Sequence, residues 1–134
     1  MQSSIPSQQK GALAPMEIKL LGNEEGIHRL EVVGKLTRDG YKAGAVDPVV
    51  ALCGEDIFKK PALLSLARSM YLDSTGIEWL LNYFKRFQAE GGKLIVHSAT
   101  PATQQLLKLM RLDSILHLEP TESAALDRAR KALS

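Results

Sequence analysis

Between Ala62 and Leu81 the chain changes its hydrophobic period once, and that change dictates what can fold around it. Ala62-Leu63-Leu64-Ser65-Leu66 is a short apolar run behind Lys59-Lys60-Pro61, the pattern of a buried strand. Arg68 and Ser69 interrupt it before Met70-Tyr71-Leu72. From Gly76 the spacing becomes helical: Ile77, Leu80, Leu81, Phe84 and Gln88 share a face, with Phe87 at its edge. Asp73-Ser74-Thr75-Gly76 is therefore a strand-to-helix turn. It sets two hydroxyls and a carboxylate where the first helical amides lack an intrahelical partner.

The flanks extend the pattern. Residues 1–15 are polar and unpatterned and read as a flexible lead-in, leaving 16–134 as one domain. Met16, Ile18 and Leu20 alternate with polar neighbours as in a half-buried strand. A turn at Gly22-Asn23-Glu24-Glu25-Gly26 leads to a second strand, Ile27 to about Gly34, which predicts an antiparallel hairpin. Leu36 to Gly40 reads as a loop, and Asp47-Pro48 starts a short helix that turns Val49, Val50, Leu52 and Cys53 inward before Gly54. Gly91-Gly92 stops the helix that follows Gly76, and Lys93 to His97 is another buried strand. Thr100-Pro101 caps a helix with Leu106, Leu107, Leu109 and Met110 on its apolar side. Ile115 to Leu118 is a last strand, and a final helix follows Pro120-Thr121, with Arg128, Arg130 and Lys131 on a solvated face. The expected fold is α/β: a mixed, mainly parallel sheet of about five strands with an N-terminal hairpin and helices packed against it.

Bulk properties exclude several function classes. With 17 basic against 15 acidic residues there is no basic face for nucleic acid. No apolar run is long enough for membrane insertion, and the N-terminus lacks the pattern of a secretion signal, so a cytoplasmic location is expected. A single cysteine, Cys53, excludes an internal disulfide, and His28, His97 and His117 have no metal-ligand spacing. His97 and His117 fall at strand ends and read as hydrogen-bonded surface or edge residues. Glycine patterns for nucleotide are absent, so no cofactor or metal is expected. Strand-turn-helix is also the setting of a nucleophile elbow, but Leu72 stands where that motif needs glycine, so Ser74 does not read as a catalytic nucleophile and no enzyme is expected.

Tyr71-Leu72-Asp73-Ser74-Thr75-Gly76-Ile77, the Gly91-Gly92 stop, Leu94-Ile95-Val96 and the Pro101 helix together resemble a STAS domain, the fold of anti-sigma factor antagonists. The resemblance spans roughly residues 16–133 and is strongest from Ala62 to Leu118. It implies that the hydroxyl after the aspartate, Ser74, is phosphorylated by an anti-sigma factor that is also a serine kinase, with Thr75 the neighbouring alternative. In that family only the unphosphorylated form captures the kinase and frees the sigma factor, and a PP2C-type phosphatase resets the cycle. The family's acidic residue after Gly-x-Leu is Thr37 here, with Asp39 two residues on. The resemblance also allows a non-catalytic scaffold or adaptor, as in stressosomes or beside a lipid-transport ATPase, and leaves a homodimer open.

The residues support such a switch independently. A phosphate at a helix N-terminus meets free amides and the positive end of the dipole, a gain of ~0.3–1 kcal/mol that does not refold a domain. The plain alternative is that Ser74 and Thr75 only cap the helix, a contribution of ~1 kcal/mol. At about 100° per residue, Trp79, Tyr83 and Arg86 fall opposite the apolar face. Their residue types are those of binding hot spots. The expected partner surface is thus Asp73, Ser74, Thr75, Gly76, Trp79, Tyr83 and Arg86, with Thr37 and Asp39.

Overall fold

The computed structural model describes residues 17–36 and 47–133, and Thr37 and Asp39 lie outside them. Strands β1 (Glu17–Glu24) and β2 (Ile27–Leu36) pair antiparallel up to Glu24 opposite Ile27, so only Glu25 and Gly26 form the turn. Both have positive φ, 58° and 84°, the geometry whose twist matches that of a hairpin. The turn is shorter than the sequence suggested: Gly22 and Asn23 stay in the ladder, beyond an irregularity at Leu21.

Helix α1 (Pro48–Cys53) and a 3-10 turn (Glu55–Lys59) lead into β3 (Pro61–Leu72). Helix α2 (Ser74–Glu90), β4 (Lys93–His97), α3 (Pro101–Leu109), a second 3-10 turn (Leu112–Ser114), β5 (His117–Glu119) and α4 (Glu122–Leu133) follow. The sheet order is β1-β2-β3-β4-β5, parallel from β2 onward. One face carries α1, the first 3-10 turn, α2 and α3, packed through Leu30, Val32, Leu64, Leu66, Leu94 and Val96. The other face carries α4, whose Ala125 and Ala129 rest on Ile27, Leu63 and Ile95.

Arg68 and Ser69 do not break β3. The strand runs on for 12 residues, with Ser65 Oγ accepting the Ala67 amide at 3.2 Å where the β2–β3 register shifts. Its first part pairs with β4 as far as Ser65 opposite His97, while its second part continues beside β2 to Leu72 opposite Leu36. The end of β3 therefore stands beyond the end of β4, and it carries Asp73 and Ser74.

Several apolar assignments differ from the expectation because neighbouring elements claim other faces. In α3, Thr103 and Leu107 turn inward, whereas Leu109 (76 % exposed) and Met110 sit at the end of the helix facing out. Leu112, which opens the second 3-10 turn, and Leu116, just after it, fill that part of the core and leave Ile115 exposed outside β5. In α1 only Val49 is buried and Leu52 is exposed. In α2 it is Phe87, not Gln88, that enters the core. His97 is buried at the end of β4, with Nδ1 2.8 Å from Ser98 Oγ. Arg128 is tied to Glu119 at 2.8 Å, and Arg130 to Glu25 at 3.0 Å, so this face of α4 is fastened to the sheet and the hairpin turn.

Two adjacent glycines end α2 for different reasons. Gly91 is the left-handed cap (φ 92°) with open space where a Cβ would lie. At Gly92 a Cβ would meet Phe58 O at 2.4 Å and Lys60 O at 2.6 Å, both backbone atoms. Gly91→Ala is expected to destabilise by ~1–2 kcal/mol, the cost of a left-handed alanine. Gly92→Ala is expected to cost ~3 kcal/mol, at the upper end of overpacking. Urea unfolding of the two variants checks the order; a Gly92→Ala protein as stable as wild type would show that the Phe58–Lys60 backbone yields freely.

Candidate functional site

The junction of β3 and α2 is built by Asp73. Its Oδ1 accepts the Gly76 amide at 3.0 Å and the Thr75 hydroxyl at 2.6 Å, while its main-chain carbonyl accepts the Ile77 amide at 3.0 Å. The Thr75 hydroxyl, and then the Gly76 amide, hold the Asp73 carboxyl below its ordinary value. The capping role expected of the hydroxyls thus belongs to the aspartate.

Ser74 is the first helical residue and is exposed, and its hydroxyl has no hydrogen-bond partner among the described residues. Thr75 is exposed as well, but its Oγ1 is committed to Asp73. The two neighbouring hydroxyls are therefore inequivalent. Gly76 is buried beneath them.

The outward stripe expected on α2 is corrected by the structure. Trp79 and Tyr83 are 6 % and 8 % exposed, and only Arg86 reaches solvent. The helix rests on the sheet with one side, and α1 and the first 3-10 turn cover another. Phe58, from that turn, lies against Tyr83 (6.1 Å between ring centres) and Phe87 (5.0 Å), and Trp79 lies 4.5 Å from Tyr83. Burying side chains of this size contributes ~1.5–3 kcal/mol each, far more than a surface stripe contributes to folding. Trp79 Nε1 is buried with no partner among the described residues.

Asp47 is the residue that sequence reasoning missed. It caps α1 through the Val49 and Val50 amides, at 2.9 and 3.2 Å. It also accepts the Tyr83 hydroxyl at 2.7 Å and faces the Arg86 guanidinium at 3.4 Å. Arg86 in turn lies over the Phe58 ring, 3.9 Å from its centre, and pairs with Glu90 at 3.5 Å. One carboxylate thus joins α1 to α2, three turns along the helix from Ser74 at Arg86. The Asp47-Pro48 start signal announced the cap but not the long-range partners.

The three histidines have partners away from Ser74. His28 lies 3.4 Å from Asn23, His97 meets Ser98, and His117 meets Arg128 at 2.9 Å. Burial lowers the pKa of each, with Lys60 adding to the effect at His28. The Cys53 thiol is pushed up by burial. Among the described residues no group of histidine, cysteine or carboxylate side chains has the arrangement of a metal site. The junction holds a hydroxyl, a capped carboxylate and helix amides, an arrangement suited to accepting a charged group.

The family model of the STAS domain matches residues 26–125. A Thermotoga maritima protein described as a candidate anti-sigma factor antagonist superposes with a TM-score of 0.67 at 19% identity, over 86% of this chain and 94% of that one. An anti-sigma factor antagonist from Mycobacterium paratuberculosis gives 0.56 at 22% identity, over 85% and 95%. The anti-sigma factor antagonist SpoIIAA in its unphosphorylated form gives 0.54 at 18% identity, over 86% and 97%. At these identities the likeness speaks for the fold.

Two measurements test this geometry. Because the folded-state pKa of Asp73 is depressed, its contribution is complete above the ordinary value near 3.8 and is lost as pH falls through the lower folded value. The melting-temperature gap between wild type and Asp73→Ala is expected to stay level down to pH ~5 and to narrow in more acid solution. A gap independent of pH would mean that the carboxylate charge is irrelevant to the cap. Tyr83→Phe removes one donor to Asp47 and is expected to cost ~1.5–3 kcal/mol in urea unfolding, as for hydrogen bonds to charged groups.

Proposed function

The chain belongs to the STAS domain family, and we propose that within it the protein acts as an anti-sigma factor antagonist switched by phosphorylation of Ser74. In its unphosphorylated form it binds an anti-sigma factor that is itself a serine kinase; the kinase brings ATP, and a PP2C-type phosphatase restores the hydroxyl. The domain contributes no catalysis of its own and works in the cytoplasm through protein–protein contact. No helix among the described residues is long and apolar enough to cross a membrane. SpoIIAA, a Bacillus cell-fate determinant with the same fold, has been solved in phosphorylated as well as unphosphorylated form.

The observation that carries this reading is the inequivalence of the two hydroxyls. Ser74 is exposed and unengaged among the described residues, whereas a phosphate on Thr75 would break its 2.6 Å bond to Asp73. Ser74 is also at the first position of α2, where backbone amides and the helix dipole accommodate an anion. Phosphorylation there adds about −1.5 to −2 charge beside the Asp73 carboxylate. The helix is braced by its buried aromatics and by Asp47, all on other parts of its surface, so the new charge alters what a partner meets rather than the fold. The contact surface consists of Asp73, Ser74 and Thr75, over buried Gly76, with exposed Glu78, Asn82 and Arg86 along α2. Trp79 and Tyr83 support it from beneath.

Incubation with a serine kinase of the anti-sigma class and ATP is expected to add one phosphate, mapped by fragmentation to Ser74. Ser74→Asp is expected to keep the wild-type circular dichroism and to bind the kinase at least about tenfold more weakly, a loss of ~1.4 kcal/mol. Ser74→Ala should bind it and take no phosphate. Phosphate on Thr75 alone, or equal affinity of Ser74→Asp and wild type, would overturn the assignment. Co-purification with transporter or scaffold subunits and no kinase would favour the adaptor reading.

A further inference from the structure

Near the opposite end of α2 a cavity of about 200 Å3 opens between the last turns of the helix and the first residues of β4 and β5. Phe84, Gln88, Gly92, Lys93, Leu94 and His117 line it. His117 Nδ1 lies 2.9 Å from Arg128 Nη2. A guanidinium only donates, so Nδ1 accepts and the imidazole proton sits on Nε2. Arg128 is itself held by Glu119 at 2.8 Å, which fixes the ring and its tautomer. With Nδ1 taken, Nε2–H is the donor that His117 retains for the cavity it lines.

Lys93, half-buried on the cavity wall, has no ion-pair partner among the described residues. The charged groups that face His117 are Arg128 from α4 and Lys93 from β4, with Glu119 on its own strand already bound to Arg128. Burial first, and then these two cations, hold the imidazole below its ordinary value, so it is neutral near pH 7 and surrounded by positive potential. Phe84 places its ring 5.3 Å from the imidazole, and Leu94 adds a second apolar wall.

We propose that this cavity binds a small oxyanion, a carboxylate or a phosphate, held by the His117 Nε2–H and the Lys93 ammonium, with any apolar body lying along Phe84. A fixed neutral donor beside an uncommitted cation suits an acceptor with negative charge, since hydrogen bonds to ionised groups are the stronger kind. The site is independent of the Ser74 switch and would give the domain a small-molecule input of its own.

The test uses the full chain with labelled histidines, following each imidazole by NMR across pH in the presence of inorganic phosphate or of benzoate. Benzoate carries one charge throughout the range, and its ring is a mimic for an apolar body. A saturable shift confined to His117, with its pKa raised because a neighbouring anion favours the imidazolium, is the expected result. Saturation by phosphate alone assigns the ligand to phosphates, and tighter binding of benzoate assigns it to apolar carboxylates. Lys93→Gln, checked for folding by circular dichroism, is expected to weaken the effect by about tenfold, in keeping with loss of a charge-assisted contact. No saturable change at His117 with either anion, equal shifts at His28, His97 and His117, or unchanged affinity in Lys93→Gln would each overturn the proposal.

Discussion

Helix α2 is compressed between a sheet and a cover, and the position of Ser74 depends on that compression. From below, Leu64, Leu66, Leu94 and Val96 present an apolar floor. From the side, Phe58 wedges against Tyr83 and Phe87, while Asp47 draws Tyr83 and Arg86 toward α1. At the far end the chain leaves the helix through Gly92, where the backbone of Phe58 to Lys60 comes too close for any side chain. The first turn adds Ile77 to this packing, while Ser74 and Thr75 stay exposed. The start of the helix is closed by Asp73, a local device whose side-chain hydrogen bonds reach no further than three residues.

This division of labour fits the switch proposed at Ser74, whose hydroxyl is exposed and has no hydrogen-bond partner among the described residues. A group that must be charged and discharged cannot also be a bearing of the structure, because each cycle would then cost folding energy. Marginal stability makes the point quantitative: whole domains retain only ~5–15 kcal/mol. The aromatic residues of α2 each bury enough to matter on that scale. Ser74 buries little, since its side chain is at the surface.

What could be seen in the sequence follows the same physics. β4 was legible because Leu94, Ile95 and Val96 are buried on both faces. The β3–α2 junction was legible because Asp73 to Gly76 combines a change of period with a cap. Trp79 and Tyr83 were not, because a helical wheel ranks faces by polarity and says nothing of what lies across from them. Their cover comes from Pro48 to Lys59, a stretch of one short helix and one 3-10 turn too brief for either period to emerge. Arg68 and Ser69 misled for a related reason. A bulge shifts the register of β3, so two polar residues pass through a continuous strand. In α3, Leu107 enters the core as the pattern suggests and Leu109, expected on the same side, does not: Leu112 and Leu116, close behind in the chain, supply the core there.

Trp79 is the only tryptophan of the chain, and it is buried on α2 between Ser74 and the Asp47 tie at Tyr83. Its indole lies tilted against Tyr83, with an N–H that no described neighbour receives. The chain thus contains one indole fluorophore, placed on the helix that begins at Ser74. Its emission belongs to an apolar environment for as long as the cover stays in place, so the colour of a single residue reports whether the packing beneath the start of α2 is intact.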